Sequence, residues 1–183
     1  FEDRIRNVFG LVDYRINDAW SVSAEARYGD EDKEIFRVTN ATGGAFTAGA
    51  AYQAQGYQPF TWRTSVNYRP MPGVLTYLSA AKGEKTGGFN VARYPGFLGQ
   101  GEFEAETNTT YELGIKSDWM ENRLRLNAAV YVIDWKNLQA STPQFTDDAV
   151  LRPLTPQDPA VISNIGGAES TGLEVEIGYV FTP

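Results

Sequence analysis

The stretch LEVEIGYVF, residues 173–181, decides the fold class because its side chains alternate in character. Leu173, Val175 and Ile177 occupy one set of alternate positions, and Glu174 and Glu176 occupy the other. Successive side chains of a β-strand point to opposite faces of its sheet. The stretch therefore predicts a strand with one apolar face and one largely polar face.

Similar alternation along the chain predicts an all-β fold with about seven strands and no convincing helix. The predicted strands cover residues 4–16, 20–28, 60–69, 74–81, 111–116, 124–133 and 173–181. The first and the fourth of these have less clean faces than the others.

The connections between the predicted strands are alternately short and long. Short turns lie at 17–18, 70–73 and 118–122, and long polar segments lie at 29–59, 82–106 and 136–170. Transmembrane β-barrels have short periplasmic turns and long extracellular loops, whereas a soluble sandwich has no physical reason for this asymmetry. The pattern predicts part of an antiparallel, up-and-down transmembrane β-barrel.

Aromatic side chains near the strand ends predict two membrane interfaces. Trp20 and Tyr28 are eight residues apart, which corresponds to roughly 20 Å along the membrane normal for a strand tilted by about 40°. Outer-membrane barrels have an apolar band about 25 Å tall with an aromatic girdle at each edge. The predicted interface aromatics are Trp20, Tyr28, Trp62, Tyr68, Trp119, Tyr179 and Phe181.

Charged side chains fall on the opposite face of the predicted strands. An Arg or Lys exposed to lipid near the midplane costs about 2–4 kcal/mol, so these side chains are expected to face a hydrated or plugged lumen. They are Glu25, Arg27, Arg63, Arg69, Glu112, Lys116, Arg125, Glu174 and Glu176.

The composition excludes several classes of function. The 183 residues include no cysteine and no histidine, which removes thiolate zinc sites, Ser-His-Asp triads and HExxH metal sites. No glycosidase pair stands out among the 23 acidic residues. The net charge of −7, with scattered Lys and Arg, argues against nucleic-acid binding. We therefore predict no catalytic, cofactor-binding or metal-binding residues, and no enzymatic activity.

The segment KGEKTGGFN, residues 82–90, is a failed match to a phosphate-binding loop. Gly83 and Gly88 have the spacing of G-x-x-x-x-G-K-[ST], but Phe89 and Asn90 stand where Lys and Ser/Thr are required. We interpret the paired glycines, Gly87 and Gly88, as backbone flexibility at the junction between a strand and a loop.

Three segments resemble TonB-dependent outer-membrane receptors. VLTYLSAAKGEKTGGFN, residues 74–90, resembles a strand-to-loop segment of that family that ends in GGFN. TYELGIKSDWMENRLRLNAAVYVIDWKNLQ, residues 110–139, resembles one of its hairpins, and NIGGAESTGLEVEIGYVFTP, residues 164–183, resembles a later strand. The segments follow the order of the family and identify the chain as the middle-to-late part of such a barrel.

The resemblance implies a barrel of about 22 strands around an N-terminal plug, in the outer membrane of a Gram-negative bacterium. It implies active uptake of a scarce ligand, such as a ferric siderophore or cobalamin. Because Phe1 is not an initiator methionine and seven strands leave two open edges, residues 1–183 are expected to form one partial barrel domain. The expected partners are outer-membrane lipid, the plug and remaining strands, the TonB energy-coupling protein, and a small-molecule or metal-chelate ligand.

Aromatic and arginine side chains in the long connections are candidate ligand contacts, although packing among the loops is an alternative for each of them. The candidates are Tyr52, Tyr57, Phe89, Arg93, Tyr94, Phe97 and Phe145. Two other functions remain open at this point. A soluble carbohydrate-binding or adhesin β-domain would be soluble without detergent, and a passive porin-like channel would conduct ions and have no plug.

Overall fold

The computed structural model of the chain describes residues 2–39, 49–90, 102–143 and 160–181. Only the backbone is described for residues 35–39, 49–53, 142–143 and 160–161. These ranges hold antiparallel strands and no helix of the length and apolarity needed to cross a membrane. The strands are β1 (Glu2–Arg15), β2 (Trp20–Thr39), β3 (Gly49–Tyr57), β4 (Phe60–Met71), β5 (Val74–Lys85), β6 (Gly88–Phe89), β7 (Glu102–Phe103), β8 (Glu106–Trp119), β9 (Leu124–Lys136), β10 (Gln139–Pro143), β11 (Ala160–Asn164) and β12 (Ala168–Tyr179).

One large sheet contains all seven strands predicted from the sequence. Its order is β1-β2-β4-β5-β8-β9-β12, and β3 pairs with the upper part of β2. Each long strand lies beside the next long strand of the chain, which is the up-and-down arrangement predicted. Among the described residues β1 and β12 each pair on one side only, so this part of the barrel is not closed.

The register places like residues side by side across the whole sheet. One continuous row on the apolar face consists of Tyr14, Val22, Val66, Leu78, Leu113, Val130 and Leu173. The adjacent row on the other face consists of Asp13, Ser23, Ser65, Ser79, Glu112, Tyr131 and Gly172. If a strand shifted by one residue against its neighbour, its apolar side chains would move to the polar face. The alternation of side chains therefore fixes the register of the strands.

The apolar face lies open instead of packing into a core. Leu173 is 68% exposed and Ile177 is 70% exposed, whereas Val74 and Phe89 are the buried hydrophobic residues of the described ranges. A water-soluble domain rarely exposes a contiguous apolar area of this extent. The face is therefore a surface made for contact with an apolar medium.

The short connections are shaped by local backbone chemistry. The side-chain oxygen Oδ1 of Asn17 accepts hydrogen bonds from the N–H groups of Ala19 and Trp20, both at 2.9 Å, and so closes the turn between β1 and β2. Gly73, between β4 and β5, has φ +79°. The turn between β8 and β9 contains three consecutive left-handed residues, Met120, Glu121 and Asn122.

The long connections are partly regular, which the sequence did not predict. β2 extends to Thr39 and pairs with β3, β6 pairs with β7, and β10 pairs with β11. These strands lie beyond the apolar band, so neither of their faces has to be apolar. They consequently lack the period-two pattern by which the seven long strands were recognised.

Replacing Gly73 by alanine is expected to destabilise the β4–β5 turn by about 2 kcal/mol, because a left-handed backbone angle is combined with steric overlap. A Cβ atom at this position would lie 2.7 Å from the backbone oxygen of Asp118. Denaturant-induced unfolding of the protein in lipid vesicles measures the change. Gly178→Ala is the control, because a Cβ there would make an ordinary 3.7 Å contact. Equal effects of the two substitutions would contradict the prediction.

Candidate functional site

The polar face of the sheet carries a set of interlinked side chains. The Tyr77 hydroxyl donates to Glu112 at 2.5 Å, and the Lys116 Nζ lies 5.6 Å from the centre of the Tyr77 ring. Nearby, the Asn127 side chain donates to Glu176 at 2.8 Å. Together with Glu174, these side chains line a concave pocket over β5, β8, β9 and β12.

The nine charged residues predicted to face a lumen all lie on this polar face. The registers place Glu25 beside Arg63, Lys116 beside Asn127, and Glu176 beside the same asparagine. Five of the nine bind polar side chains directly. Glu112 and Glu176 accept the hydrogen bonds described above, Arg125 pairs with Asp118 at 2.8 Å, Arg69 donates to the Ser21 hydroxyl at 3.4 Å, and Arg27 donates to the Asn7 side-chain oxygen at 3.2 Å. β1 differs from the other strands, because it places the exposed Phe9 and Leu11 on the same face.

The seven predicted interface aromatics lie on the opposite, apolar side. Trp20 and Tyr68 stack with their ring centres 4.5 Å apart at the short-turn end of β2 and β4. Tyr179 and Phe181 make an edge contact at 4.9 Å at the short-turn end of β12, which is the end that Trp119 occupies on β8. Tyr28 and Trp62 lie toward the other end of the band. The rings therefore fall at two levels.

Two tyrosines on the polar face lie over glycines of the neighbouring strand. A Cβ atom on Gly114 would lie 2.5 Å from the Tyr77 ring, and a Cβ atom on Gly172 would lie 2.4 Å from the Tyr131 ring. An aromatic side chain that covers a glycine in this way protects the backbone of the neighbouring strand and fixes register. The two pairs therefore position Tyr77 and Tyr131 flat against the sheet.

Replacing Gly114 by alanine is expected to lower stability by about 1–3 kcal/mol, because the Tyr77 ring must move and lose its hydrogen bond to Glu112. The loss is expected to be much smaller when Tyr77 is alanine as well. Unfolding of the two single variants and the double variant measures this coupling. Additive effects of the two substitutions would show that the ring does not restrict position 114.

Beyond the long-loop end of the sheet, side chains of all three long connections meet. We call this set the loop-base network. It comprises Glu31, Lys33, Tyr57, Thr86, Gly87, Asn90, Glu104, Gln139, Ile162 and Asn164. The network lies at the long-loop end of the large sheet and joins the three connections by hydrogen bonds.

Lys33 connects the first long connection to the second. Its Nζ lies 2.9 Å from Glu31 and donates to the Thr86 hydroxyl at 2.8 Å and to the Gly87 carbonyl oxygen at 2.9 Å. The Thr86 hydroxyl in turn donates to Glu31 at 3.0 Å. The Lys33 side chain is 15% exposed, so this ion pair is more shielded from solvent than an ordinary surface pair.

Tyr57 completes this part of the network. The ammonium group of Lys33 lies 5.2 Å from the centre of its ring, at the distance of a cation–π contact. Burial raises the pKa of the Tyr57 hydroxyl, and the carboxylates of Glu102 and Glu31 raise it further. The side chain therefore stays neutral throughout the physiological pH range.

Three amide side chains connect the third long connection to the second. Gln139 Nε2 donates to the carbonyl oxygens of Glu104 at 2.9 Å and Thr86 at 3.1 Å. Asn164 exchanges two hydrogen bonds with the backbone of Glu104, at 2.8 and 3.0 Å. Asn90 makes a similar pair with the backbone of Ile162, at 2.7 and 2.8 Å.

Two of the seven candidate ligand contacts have described side chains, and both are packed into the protein. Phe89 is 8% exposed, so it contributes to packing and is not presented to a ligand in this arrangement. Tyr57 is half-buried beside Lys33. The side chain of Tyr52, and the residues Arg93, Tyr94, Phe97 and Phe145, lie outside the described part of the chain.

The sequence matches a family model along nearly its whole length. The model describes a TonB-dependent receptor-like β-barrel, and the match covers residues 2–182. The chain belongs to the TonB-dependent receptor family. This family consists of transport receptors, and its members are Gram-negative outer-membrane proteins.

Solved TonB-dependent receptors share the fold of the chain. The ferric yersiniabactin uptake receptor FyuA from Yersinia pestis is 19% identical, with a TM-score of 0.76 over 99% of this chain and 25% of that receptor. The ferric-catecholate import receptor Fiu from E. coli K12 is 16% identical, with a TM-score of 0.70 over 99% of this chain and 26% of the receptor. The copper transporter OprC is 13% identical, with a TM-score of 0.70 over 98% of this chain and 27% of the transporter. The chain thus spans about a quarter of the length of these receptors.

The contacts in the loop-base network also change the interpretation of the paired glycines, Gly87 and Gly88. A Cβ atom on Gly87 would lie 2.2 Å from the Phe103 carbonyl oxygen, and a Cβ atom on Gly88 would lie 2.7 Å from the Phe103 ring. Neither residue has a positive φ. The prediction of backbone flexibility was therefore wrong: the glycines permit close packing.

The sequence reasoning did not single out Lys33, Asn90, Gln139 or Asn164 as site residues, although a signal for three of them was present. Asn90 ends the first segment that resembles TonB-dependent receptors, Gln139 ends the second, and Asn164 begins the third. The three motifs therefore meet in space at the loop-base network. Lys33 lies in a part of the chain without such a motif.

Proposed function

We propose that the chain forms part of the barrel wall of an outer-membrane receptor that takes up a scarce ligand, such as a ferric siderophore, with energy from TonB protein. The observation that carries this proposal is the family match over residues 2–182. The two-faced sheet supports it, because a barrel strand in lipid must be apolar outside and can be polar inside. Residues 1–183 are then one partial domain of a larger receptor.

In this proposal the apolar face contacts lipid, and the two aromatic levels lie at its interfaces. The polar face borders the lumen, where Glu112, Lys116 and Glu176 line the pocket described above. Their charges keep this wall hydrated or bind polar groups of a plug. The loop-base network lies at the extracellular end, where a ligand arrives.

A metal chelate is the ligand class that we propose. One similar structure is named for ferric yersiniabactin uptake, another for ferric-catecholate import, and a third is a hemophore receptor in complex with its hemophore and heme. Their identities to this chain are below 20%, so they support the class of ligand through the family alone. The predicted contacts Tyr52, Tyr57, Arg93, Tyr94, Phe97 and Phe145 remain part of this proposal, and the buried Phe89 does not.

Uptake by the full-length receptor tests the proposal. The receptor would be expressed in a Gram-negative strain without its own siderophore, heme and copper receptors, with and without a functional TonB protein. Four probes are offered: ferric yersiniabactin, a ferric catecholate, heme and copper ions. We expect TonB-dependent accumulation of an iron probe. Uptake that persists without TonB protein would instead indicate a passive channel, and purification of the receptor without detergent would contradict the membrane location.

A further inference from the structure

The β10–β11 hairpin joins the large sheet through two left-handed residues at the same level. Asn137, between β9 and β10, has φ 53°, and Gly166, between β11 and β12, has φ 108°. The two strand interruptions lie opposite each other. The Leu138 N–H donates to the Gly166 carbonyl oxygen at 2.7 Å, and the Ile165 N–H donates to the Leu138 carbonyl oxygen at 2.9 Å. Above this level β10 and β11 form a separate sheet. We call the level of these two residues, at which the chain leaves the large sheet, the hinge line.

The side chains of Gln139 and Asn164 hold the hairpin close to this hinge line. Both donate to the carbonyl oxygen of Glu104, at 2.9 and 3.0 Å. The two residues are themselves a cross-strand pair, at the first position of β10 and the last position of β11. Contacts so near a hinge fix the position of the hairpin base but leave its direction weakly defined.

Asn90 contacts the hairpin farther from the hinge line. Its Oδ1 accepts from the Ile162 N–H at 2.7 Å, and its Nδ2 donates to the Ile162 carbonyl oxygen at 2.8 Å. Both Ile162 backbone groups are thereby bonded as they would be by another strand. Asn90 is 7% exposed and follows Phe89, which is 8% exposed, so it is itself held in a packed segment.

We propose that Asn90 is a positioning residue that fixes the direction of the β10–β11 hairpin relative to the large sheet. Only a side chain with a donor and an acceptor side by side can make both bonds to Ile162. These two bonds fix the angle between the hairpin and the large sheet, which the backbone at Asn137 and Gly166 does not fix. The hairpin and the segment before Asn90 therefore move as one body. If the receptor binds ligand at this end, as in the proposed function on which this step rests, Asn90 also sets ligand affinity.

The substitution Asn90→Asp tests the role with almost no change in shape. An ionised carboxylate cannot donate and places an oxygen against the Ile162 carbonyl oxygen. Nitroxide labels at Ser141→Cys and Asp32→Cys, in a full-length receptor without other cysteines, report the distance between hairpin and sheet. We expect one narrow distance distribution with Asn90 and a broad or two-component distribution with Asp. Asn122→Asp, in the exposed turn at the opposite end, should leave the distribution narrow.

An unchanged distribution in folded Asn90→Asp receptor would overturn the proposal. Should that variant fail to fold, hydrogen exchange of the unmodified receptor tests the same contact. The Ile162 amide is expected to exchange slowly, because it is bonded to Asn90. Exchange as fast as that of an unstructured peptide would equally overturn the proposal.

Uptake by Asn90→Asp separates the positioning role from the proposed function. With the iron probe that the unmodified receptor accumulates, we expect the half-saturation concentration to rise at least about fivefold, the lower range of coupling between sites, with little change in the maximal rate. A broadened distance distribution with unchanged half-saturation would contradict the link to ligand affinity. A receptor that accumulates none of the probes would contradict the proposed function, while the distance measurement would still test the hinge and its contact.

Discussion

Replacing Val175 by arginine is expected to lower the free energy of unfolding of the full-length receptor in phospholipid vesicles by about 2–4 kcal/mol. Val175 is 64% exposed on the apolar face of β12. It lies four residues from the interface aromatic Tyr179, which is half of the eight-residue spacing between Trp20 and Tyr28. An arginine there must displace lipid contacts or pull water into the apolar band. Guanidinium-induced unfolding, followed by tryptophan emission, measures the change.

Glu174→Arg is the matched control, because it introduces the same side chain one residue away on the opposite face. Glu174 is exposed and adjoins the pocket lined by Glu112 and Glu176. An arginine at this position is exposed to water and lies near carboxylates. We therefore expect the free energy of unfolding to change by less than about 1 kcal/mol. Similar losses for the two variants would show that the faces of β12 do not meet different media.

The second large effect is expected for Gly87→Ala, which should disrupt the loop-base network. The added Cβ would overlap the Phe103 carbonyl oxygen at 2.2 Å and the Tyr57 ring at 2.9 Å. Neither the backbone nor a packed ring can yield without displacing Lys33, which binds the Gly87 carbonyl oxygen and lies over Tyr57. Overpacking of this kind costs about 1–3 kcal/mol.

Limited proteolysis of intact cells that express the full-length receptor measures this effect. We expect the Gly87→Ala receptor to be cleaved at its extracellular connections at least about fivefold faster, since a loss of about 1 kcal/mol of local stability raises the open population about fivefold. Gly10→Ala is the control, because a Cβ there would meet nothing within 4 Å. Equal cleavage of the two variants would contradict the packing role of Gly87.

The strands of the large sheet could be predicted because the membrane imposes a rule that is visible locally. In β12 and β8 each side chain meets either an apolar medium or a polar one, so the sequence alternates and the strands can be read directly from it. The faces of Glu174 and Leu173 follow from the same rule. β1 was less clear, because Phe9 and Leu11 lie on the face that is polar elsewhere.

The loop-base network could not be predicted because its contacts join residues that are far apart in sequence. Lys33 and Gly87 are 54 positions apart, and Asn90 and Ile162 are 72 positions apart. No periodicity marks an asparagine that binds the backbone of a distant strand. The tight fit around Gly87 is also invisible in the sequence, where a glycine that permits close packing looks the same as one that permits an unusual backbone angle.

The most direct test of the account is the accessibility of nitroxide labels placed one at a time at residues 173–177 of the full-length receptor in outer-membrane vesicles. Collision rates with oxygen, which concentrates in lipid, and with a water-soluble nickel chelate are measured at each position. We predict that Leu173, Val175 and Ile177 meet oxygen, and that Glu174 and Glu176 meet the nickel chelate. Rates without this alternation, or chelate access at all five positions, would contradict a strand that separates lipid from lumen.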